Sequence, residues 1–350
     1  MGVSAEWRFL RANRKFKPRV QPMQQPKYPD NFMHEPDRVG FSGVSLTALA
    51  LLAFAGNSVL CRLALGEGAI DPTSYSTVRL ISGALTLRLI VGYLGKRDSR
   101  AGSSGSWSAG ALLFLYAMAF AYAYRNLTAG TGALILFAAV QLTMIASALR
   151  SGEKPAPIEW LGWSVAMVGL VYLVFPGIAA PSLGGSLLMA GAGIAWGAYS
   201  ILGRGENNPI QATTDNFFRT LPLVLVVTLV QLPSLVMSPM GLLWAGISGA
   251  ITSGLGYAIW YAALKRLTAT RAATVQLSVP VIAALGGVAF LSEQITVRLL
   301  ISSVVILGGI GLSVSARAAS KIFTRIGRPS APKPLSSKAP TAVRVDVRTP

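Results

Sequence analysis

The sequence predicts an all-α polytopic membrane protein with about ten transmembrane helices, arranged as two inverted five-helix repeats. Of its 350 residues, 52% are hydrophobic and 13% are charged, and the mean hydropathy is +0.54. A soluble domain carries about 25% charged residues. Two further observations favour this class: an internal repeat with a fixed offset, and basic residues that fall mostly on one side of the predicted membrane.

The internal repeat is an ungapped shift of 140 residues. The shift aligns Glu153 with Glu293, and it aligns residues 127–129 with residues 267–269, both of which read Leu-Thr-Ala. The same shift pairs Arg79 with Arg219, Thr73 with Thr213, Ala55 with Ala195, Ala133 with Ala273, Ser108 with Ser248, and Gly169 with Gly309. One offset that relates so many positions indicates a tandem duplication.

Apolar segments divide each copy into five predicted helices. In the first repeat, 41–176, they cover 41–63, 74–95, 107–125, 129–149 and 158–176. In the second repeat, 184–316, they cover 184–203, 213–233, 241–263, 271–291 and 296–316. Each is about 20 residues long, as a bilayer-spanning helix requires. The flanking segments 1–40 and 317–350 are basic, polar and rich in proline, and we predict that both are disordered.

The ninth segment carries a proline at its centre. About twenty residues between Arg271 and Glu293 are uncharged, which spans about 30 Å as a helix. Pro280 removes one backbone hydrogen bond there and bends the helix, so it is the candidate hinge.

An odd number of helices per copy means that the second copy enters the membrane from the opposite side. With the N-terminus inside, the outer loops hold only Arg62, Arg125 and Arg298. The inner loops hold Lys96, Arg97, Arg100, Arg150, Lys154, Arg204, Lys265, Arg266 and Arg271. This bias follows the positive-inside rule. It predicts a multi-pass protein of the inner membrane with both termini in the cytoplasm.

Several short motifs resemble the drug/metabolite transporter superfamily, in particular proteins with two EamA-type repeats. Pro72 followed by Arg79 resembles that family's entry to the second helix, and Trp196-Gly197 resembles an element of the first helix. Pro280 followed by Glu293 resembles its repeat ending. The first copy departs from the pattern, with Asn57 where the second has Gly197. The resemblance implies ten helices and export of small metabolites or drugs.

Two arginines inside apolar segments are candidates for the substrate path. A charge in a membrane helix is costly unless it is paired or hydrated. Arg79 and Arg219 occupy equivalent positions in the two copies, and each has two interpretations. Each can attract an anionic group of the substrate, such as a carboxylate, or each can extend its charge to the lipid headgroups and anchor its helix.

Polar and aromatic side chains supply the remaining candidates. Asn57, Gln141 and Gln276 are amides within apolar segments, where they can bind a substrate or join two helices. Trp196 and Tyr257 lie near the middle of their segments and are candidate pocket residues. The other aromatic residues considered are Tyr116, Tyr122, Tyr199, Trp260 and Tyr261.

Other classes of function lack the residues that they need. The only cysteine, Cys61, lies in an apolar run and the only histidine, His34, lies in the first tail, so we predict no catalytic pair and no metal site. We predict no cofactor and no nucleic-acid partner. The predicted partners are a small-molecule substrate and the lipid bilayer. The sequence does not define an oligomeric state. A channel-like facilitator and a membrane-embedded enzyme remain the alternatives to an alternating-access transporter.

Overall fold

In a computed structural model, the described part of the chain forms a bundle of ten helices, which confirms the predicted all-α fold. The residues that it describes are 41–66, 68–93, 105–152, 155–177, 180–203, 206–264, 266–267, 272 and 275–326. Within these ranges the backbone forms no strand, and its one bridge joins Ile70 to Met237.

The helices follow the two repeats in order. The first repeat forms α1 (Phe41–Gly66), α2 (Pro72–Tyr93), α3 (Trp107–Tyr124), α4 (Ala129–Arg150) and α5 (Pro157–Val174). The second forms α6 (Leu183–Leu202), α7 (Pro209–Val230), α8 (Pro239–Leu264), α9 (Val279–Leu291) and α10 (Val297–Ile326). Within α8, residues Ser248–Leu255 are π-helical.

Proline and hydroxyl residues define where many helices begin. Helices α2, α5, α7 and α8 each begin on a proline, whose missing N–H has no partner to lose in the first turn. Ser106, Thr128, Ser182 and Ser238 precede α3, α4, α6 and α8, and each side chain accepts a hydrogen bond from an amide of the first turn. The prolines explain why α2 and α7 begin two to four residues before their predicted starts.

The outside of the bundle is apolar, as a protein surrounded by lipid requires. Among the residues that the structure describes, eight helices are long and apolar enough to cross a membrane. Helix α9 is shorter, and α2 has the length but carries Arg79, Arg88 and several hydroxyl residues. Large apolar side chains such as Leu89, Val168 and Val304 are about 70% exposed, which fits contact with acyl chains.

Helices of the two repeats pack on each other throughout. Helix α1 contacts α8 and α9, α2 contacts α7 and α8, and α3 contacts α6 and α7. Helices α5 and α10 form a close pair, in which a Cβ on Gly162 would lie 2.5 Å from the carbonyl oxygen of Gly309. Because glycine has no side chain, the two backbones can approach this closely.

Two predictions about helix extent are corrected. Pro280 does not bend the middle of a long helix but is the second residue of α9, where proline fits without loss of a hydrogen bond. Helix α10 continues ten residues beyond the predicted boundary at 316, through an alanine-rich segment that favours helix. The predicted tail 1–40 and residues 327–350 lie outside the described residues, as do Lys96, Arg97, Arg100, Glu153, Lys154, Arg204, Lys265 and Arg271.

Candidate functional site

A cavity of about 650 Å³ opens at one end of the bundle. It reaches the surface beside Gly203 and Glu206, which are exposed. Its walls come from the start of α3 and α7 and from the last turns of α4, α6 and α8. Since α3 and α8 are equivalent helices that run in opposite directions at this opening, the two repeats are inverted relative to each other.

Aromatic rings form much of the cavity wall. Trp196 is central, with its ring centroid 4.9 Å from Tyr116, 5.3 Å from Tyr257 and 5.4 Å from Tyr199. The aromatic side chains that line the cavity are Phe54, Trp163, Trp196, Tyr199, Tyr257, Trp260 and Tyr261. Such a wall suits an organic solute, because it combines apolar faces with a few hydroxyl groups.

A second, much smaller cavity of about 30 Å³ adjoins the deep end of the first. The two cavities share Phe54, Trp196, Tyr257 and Gln276 as wall residues. The small cavity is more polar, because Asn57, Ser58, Tyr116, Thr252 and Ser253 also line it. The deep end of the large cavity therefore borders a polar recess.

A hydrogen-bonded cluster surrounds this recess. The Oδ1 atom of Asn57 accepts hydrogen bonds from the Ser248 hydroxyl at 2.8 Å and the Thr252 hydroxyl at 3.3 Å. Its Nδ2 atom donates to the Tyr116 hydroxyl at 3.5 Å. Tyr75 donates to Ser248 at 2.7 Å. The cluster therefore joins α1, α2, α3 and α8 through side chains that are all at least nine-tenths buried.

Arg79 lies beside the cluster and is 3% exposed. Its Nε atom donates to the Ser253 hydroxyl at 3.1 Å, and its Nη2 atom donates to the Tyr116 hydroxyl at 3.2 Å. The guanidinium carbon lies 5.3 Å from the centre of the Tyr116 ring and 5.1 Å from that of Phe120. These contacts are within the range of cation–π attraction.

The π-helical segment of α8 brings three hydroxyl groups to the cluster. A π-helix places residues i and i+5 on adjacent turns, and such segments are frequent at functional sites. Here it places Ser248, Thr252 and Ser253 beside Asn57 and Arg79. Gly249 permits this approach, because a Cβ at that position would overlap the carbonyl oxygen of Arg79 and the hydroxyl of Ser82.

The opposite end of the bundle is closed by an ion pair. The Nε atom of Arg62, at the end of α1, lies 3.2 Å from Oε1 of Glu293, just past α9. Oε2 of Glu293 accepts a hydrogen bond from the Ala129 amide at the start of α4, at 2.9 Å. Arg62 also donates to the carbonyl oxygens of Tyr124 and Arg125. One pair of side chains therefore ties the ends of four helices together.

A second group of contacts closes the same end. Gln231, at the end of α7, accepts hydrogen bonds from Thr73 at 2.9 Å and from Tyr122 at 3.0 Å. Asp71 accepts from the amides of Thr73 and Ser74 at the start of α2, and from the Val236 amide of the other repeat. Partial burial raises the pKa of Asp71, but these hydrogen bonds outweigh it, so the pKa lies below its ordinary value.

A model of the EamA-like transporter family matches residues 41–175 and, again, residues 183–315. The chain belongs to the EamA-like transporter family. It is therefore a multi-pass membrane transporter of small molecules and not an enzyme, as the sequence predicted. The family also confirms the resemblance to drug/metabolite transporters and the two EamA repeats.

Several known proteins are similar to this EamA-like transporter. An uncharacterized protein of Pseudomonas aeruginosa is 48% identical over 272 residues, which cover 78% of this chain and 94% of that protein. The threonine/homoserine exporter RhtA of Escherichia coli K12 is 29% identical over 187 residues, or 51% of this chain and 61% of RhtA. One crystal structure matches with a TM-score of 0.57 at 20% identity, covering 78% of this chain and 99% of that one, and this likeness concerns the fold alone.

Most residues that the sequence singled out meet at one place in the EamA-like transporter. Trp196, Tyr257 and Gln276 line both cavities. Gln141 lines the large cavity and Asn57 the small one, while Arg79 stands directly behind Tyr116 and Ser253. Whether they contact a substrate stays a prediction.

Arg219 does not join this group. It is half-buried near the start of α3, where a Cβ on Gly110 would lie 2.8 Å from its own Cβ. It lines neither cavity. The equivalent arginines of the two repeats therefore occupy different environments.

Sequence reasoning missed the hydroxyl residues of α8. Ser248, Thr252 and Ser253 resemble the small residues that commonly fill helix contacts in membranes. Ser248 and Thr252 share a face of any α-helix, but Ser253, five residues after Ser248, joins that face because the segment is π-helical, which the apolar pattern does not reveal. Of the seven aromatic residues considered, Tyr122 alone lines neither cavity and lies at the closed end.

Proposed function

We propose that this EamA-like transporter moves small organic solutes out of the cell across the inner membrane by alternating access. The observation that carries the proposal is the asymmetry of the bundle: a 650 Å³ cavity is open at one end, while the Arg62–Glu293 pair closes the other. A cavity of this size falls in the range of small-molecule sites. An open path through the bundle would instead favour a channel.

The inverted repeats supply the second state. Transporters of this architecture expose a central site to each side in turn as the repeats exchange conformations. The shift of 140 residues relates Glu293 to Glu153 and Ala129 to Ala269. In the second state we expect Glu153 to bind the Ala269 amide and close the end that is now open, while the Arg62–Glu293 pair separates.

The break between α8 and α9 is the proposed hinge. Pro280 prevents residues 275–278 from joining α9 as one regular helix, and Gln276 in this break lines both cavities. A change of backbone direction here would move a cavity wall without unfolding a helix. Pro280 thus keeps the role of hinge candidate, although at a helix start.

The distribution of basic residues supports an orientation in the membrane. The open end is formed by the same helix ends that lead into the basic loops, so we place it in the cytoplasm. The tails then also lie in the cytoplasm. In this orientation the cavity admits solutes from inside the cell, which fits export.

The similarity to RhtA supports amino-acid-like substrates. RhtA is a threonine/homoserine exporter, and the match includes about half of this chain. The cavity holds hydroxyl, amide and aromatic groups, which can bind the polar and apolar parts of a small amino acid.

Counterflow in proteoliposomes tests the proposal. Purified protein is reconstituted into vesicles loaded with L-threonine, L-homoserine or another solute of a small panel, and efflux of radiolabel is followed. A carrier gives saturable efflux that unlabelled solute on the far side accelerates. Efflux that rises linearly with concentration and shows no such acceleration would instead establish a channel, and equal efflux from protein-free vesicles would rule out transport of that solute.

A further inference from the structure

We infer that the polar recess around Tyr116 and Ser253 binds a carboxylate of the substrate and that Arg79 supplies the balancing charge. This inference rests on the proposed transport function and deepens it, because it names the chemical class of the substrate. Three features of the recess carry it: an unbalanced charge, an excess of hydrogen-bond donors, and a size that suits a carboxylate.

The charge of Arg79 has no acidic partner in the described part of the chain. Its hydrogen-bond acceptors are the neutral hydroxyls of Ser253 and Tyr116. Its Nη1 atom is buried without any hydrogen bond. The ion pair between Arg62 and Glu293 lies elsewhere, at the closed end of the bundle. A buried cation without a counter-ion is strongly unfavourable, so the site is incomplete until an anion binds.

The recess also contains more donors than acceptors. The Tyr116 hydroxyl accepts from both Arg79 and Asn57, and the Ser253 hydroxyl accepts from Arg79. Within the described ranges neither hydroxyl donates its own hydrogen to a protein acceptor. The carbonyl oxygen of Asn57 already accepts from Ser248 and Thr252. The group that completes such a site carries lone pairs and negative charge, and an ionised carboxylate has both.

The size of the recess limits the group that enters it. The small cavity is about 30 Å³, which is room for about one or two water-sized groups. A carboxylate fits this space better than the larger phosphate group. The rest of the solute would then lie in the large cavity, against Trp196 and Tyr257.

The described part of the second repeat does not provide an equivalent anion site. Arg219, the equivalent of Arg79, is half-buried beside Gly105 and Gly110 and lines neither cavity. Among the described residues, the buried positive charge therefore comes from the first repeat. We expect recognition of one carboxylate per substrate, with its remaining groups held by neutral side chains.

Ligand-dependent thermal stability of the purified protein tests the inference without requiring transport. The probes are L-threonine and L-homoserine, each compared with its carboxamide, and propionate as a carboxylate without an amine. We expect the carboxylates to raise the unfolding midpoint of the wild type, and the carboxamides to bind on the order of 10- to 100-fold more weakly. Arg79→Gln should lose this difference.

Arg88→Gln is the matched control, because Arg88 lies on the same helix but is exposed. It should behave as the wild type does.

Two further variants test the site if Arg79→Gln does not fold. Tyr116→Phe and Ser253→Ala each remove one hydrogen-bond donor and keep the charge, so each should weaken carboxylate binding by about 5- to 20-fold.

Equal binding of acids and amides by the wild type, carboxylate binding that Arg79→Gln retains, or failure of every carboxylate probe to bind would overturn the inference. Transport separates its failure from that of the proposed function. Vesicles that export threonine and its carboxamide equally well would leave the transporter proposal intact and refute the anion site. Arg79-dependent binding of threonine without counterflow would support the anion site and refute the transporter proposal for threonine.

Discussion

Trp196 illustrates how single residues shape the site. Its ring lies between the two cavities and contacts Tyr116, Tyr199 and Tyr257 within 5.4 Å. Because each aromatic contact contributes about 0.5–1.5 kcal/mol, loss of the indole should loosen the wall that holds a solute. We therefore predict that this uncharged side chain affects the binding of a solute.

Replacement of Trp196 tests this role. Trp196→Leu should raise the concentration of solute at half-maximal efflux by about 3- to 10-fold with a smaller change in maximal rate. Trp107→Leu is the control, because Trp107 is exposed at the start of α3 and lines neither cavity. Similar kinetics for wild type and Trp196→Leu would exclude Trp196 from the site.

The sequence identified individual residues of the candidate site but not which of them lie in contact. Asn57, Gln141 and Gln276 stand out because an amide in an apolar segment needs a partner. The sequence does not distinguish Arg79 from Arg219, which occupy equivalent positions in the two copies. The difference arises from packing, since Ser253 on the π-helical segment reaches only Arg79.

At the scale of helices, the contact between α2 and α8 positions the polar cluster. Gly249 lies against the backbone at Arg79, and Gly83 lies across from it, with a Cβ there 3.2 Å from the carbonyl oxygen of Gly249. Any side chain at Gly249 would push the π-helical segment away from α2. The hydrogen bond from Arg79 to Ser253 would then lengthen.

A pair of glycine substitutions on α8 tests this contact. Gly249→Ala should lower the free energy of unfolding by about 1–3 kcal/mol, because it overpacks the interface, and it should weaken transport. Gly246→Ala, three residues earlier, meets open space, so it should be neutral or stabilise the helix by up to about 1 kcal/mol. Equal effects of the two changes would mean that helix propensity, and not the α2–α8 contact, is responsible.

Asp71 shows how a helix start joins the two repeats, and it gives a pH-dependent prediction. Asp71→Ala should lower the free energy of unfolding by about 0.5–2 kcal/mol at pH 7 in a denaturation assay in detergent. The pKa of Asp71 in the folded protein is below its ordinary value of 3.8. The stabilisation by the carboxylate is therefore complete above about pH 3.8 and is lost as the pH falls through the lower, folded-state pKa.

The control for this prediction is Asp71→Asn, which keeps a capping side chain but does not titrate. The difference in free energy of unfolding between Asp71→Asn and Asp71→Ala should not change between pH 5 and pH 3. The difference between the wild type and Asp71→Ala should decrease over the same range. A wild-type advantage that is constant over this range would show that the hydrogen bonds to Asp71 do not depend on its charge.

Most helix ends were predictable to within a few residues, but the start of α9 and the end of α10 were not. The length of the apolar segments located all ten helices, because lipid requires about 20 apolar residues per span. The π-helical segment of α8 and the late start of α9 depend on contacts between helices. Pro280 indicated an irregularity in the right region, but not that α9 begins beside it.

For the whole molecule, the duplication predicted the architecture but not its present conformation. Thr73 and Thr213 are equivalent, yet Thr73 binds Tyr122 and Gln231 at the closed end, and Thr213 lines the open cavity beside Tyr261. A repeat sequence permits either end to be closed. Which end is closed depends on the packing between helices, which the repeat sequence does not determine.

Side-specific labelling of Thr73→Cys and Thr213→Cys, each in a Cys61→Ser background, tests alternating access most directly. In oriented membrane vesicles, Thr213→Cys should react with a membrane-impermeant maleimide from the cytoplasmic face only, and Thr73→Cys should be protected. Adding Glu293→Gln, which removes the closing ion pair, should protect Thr213→Cys and expose Thr73→Cys to the outer face. Reaction of both positions from one face, or reactivity that Glu293→Gln leaves unchanged, would contradict a carrier built from two inverted repeats.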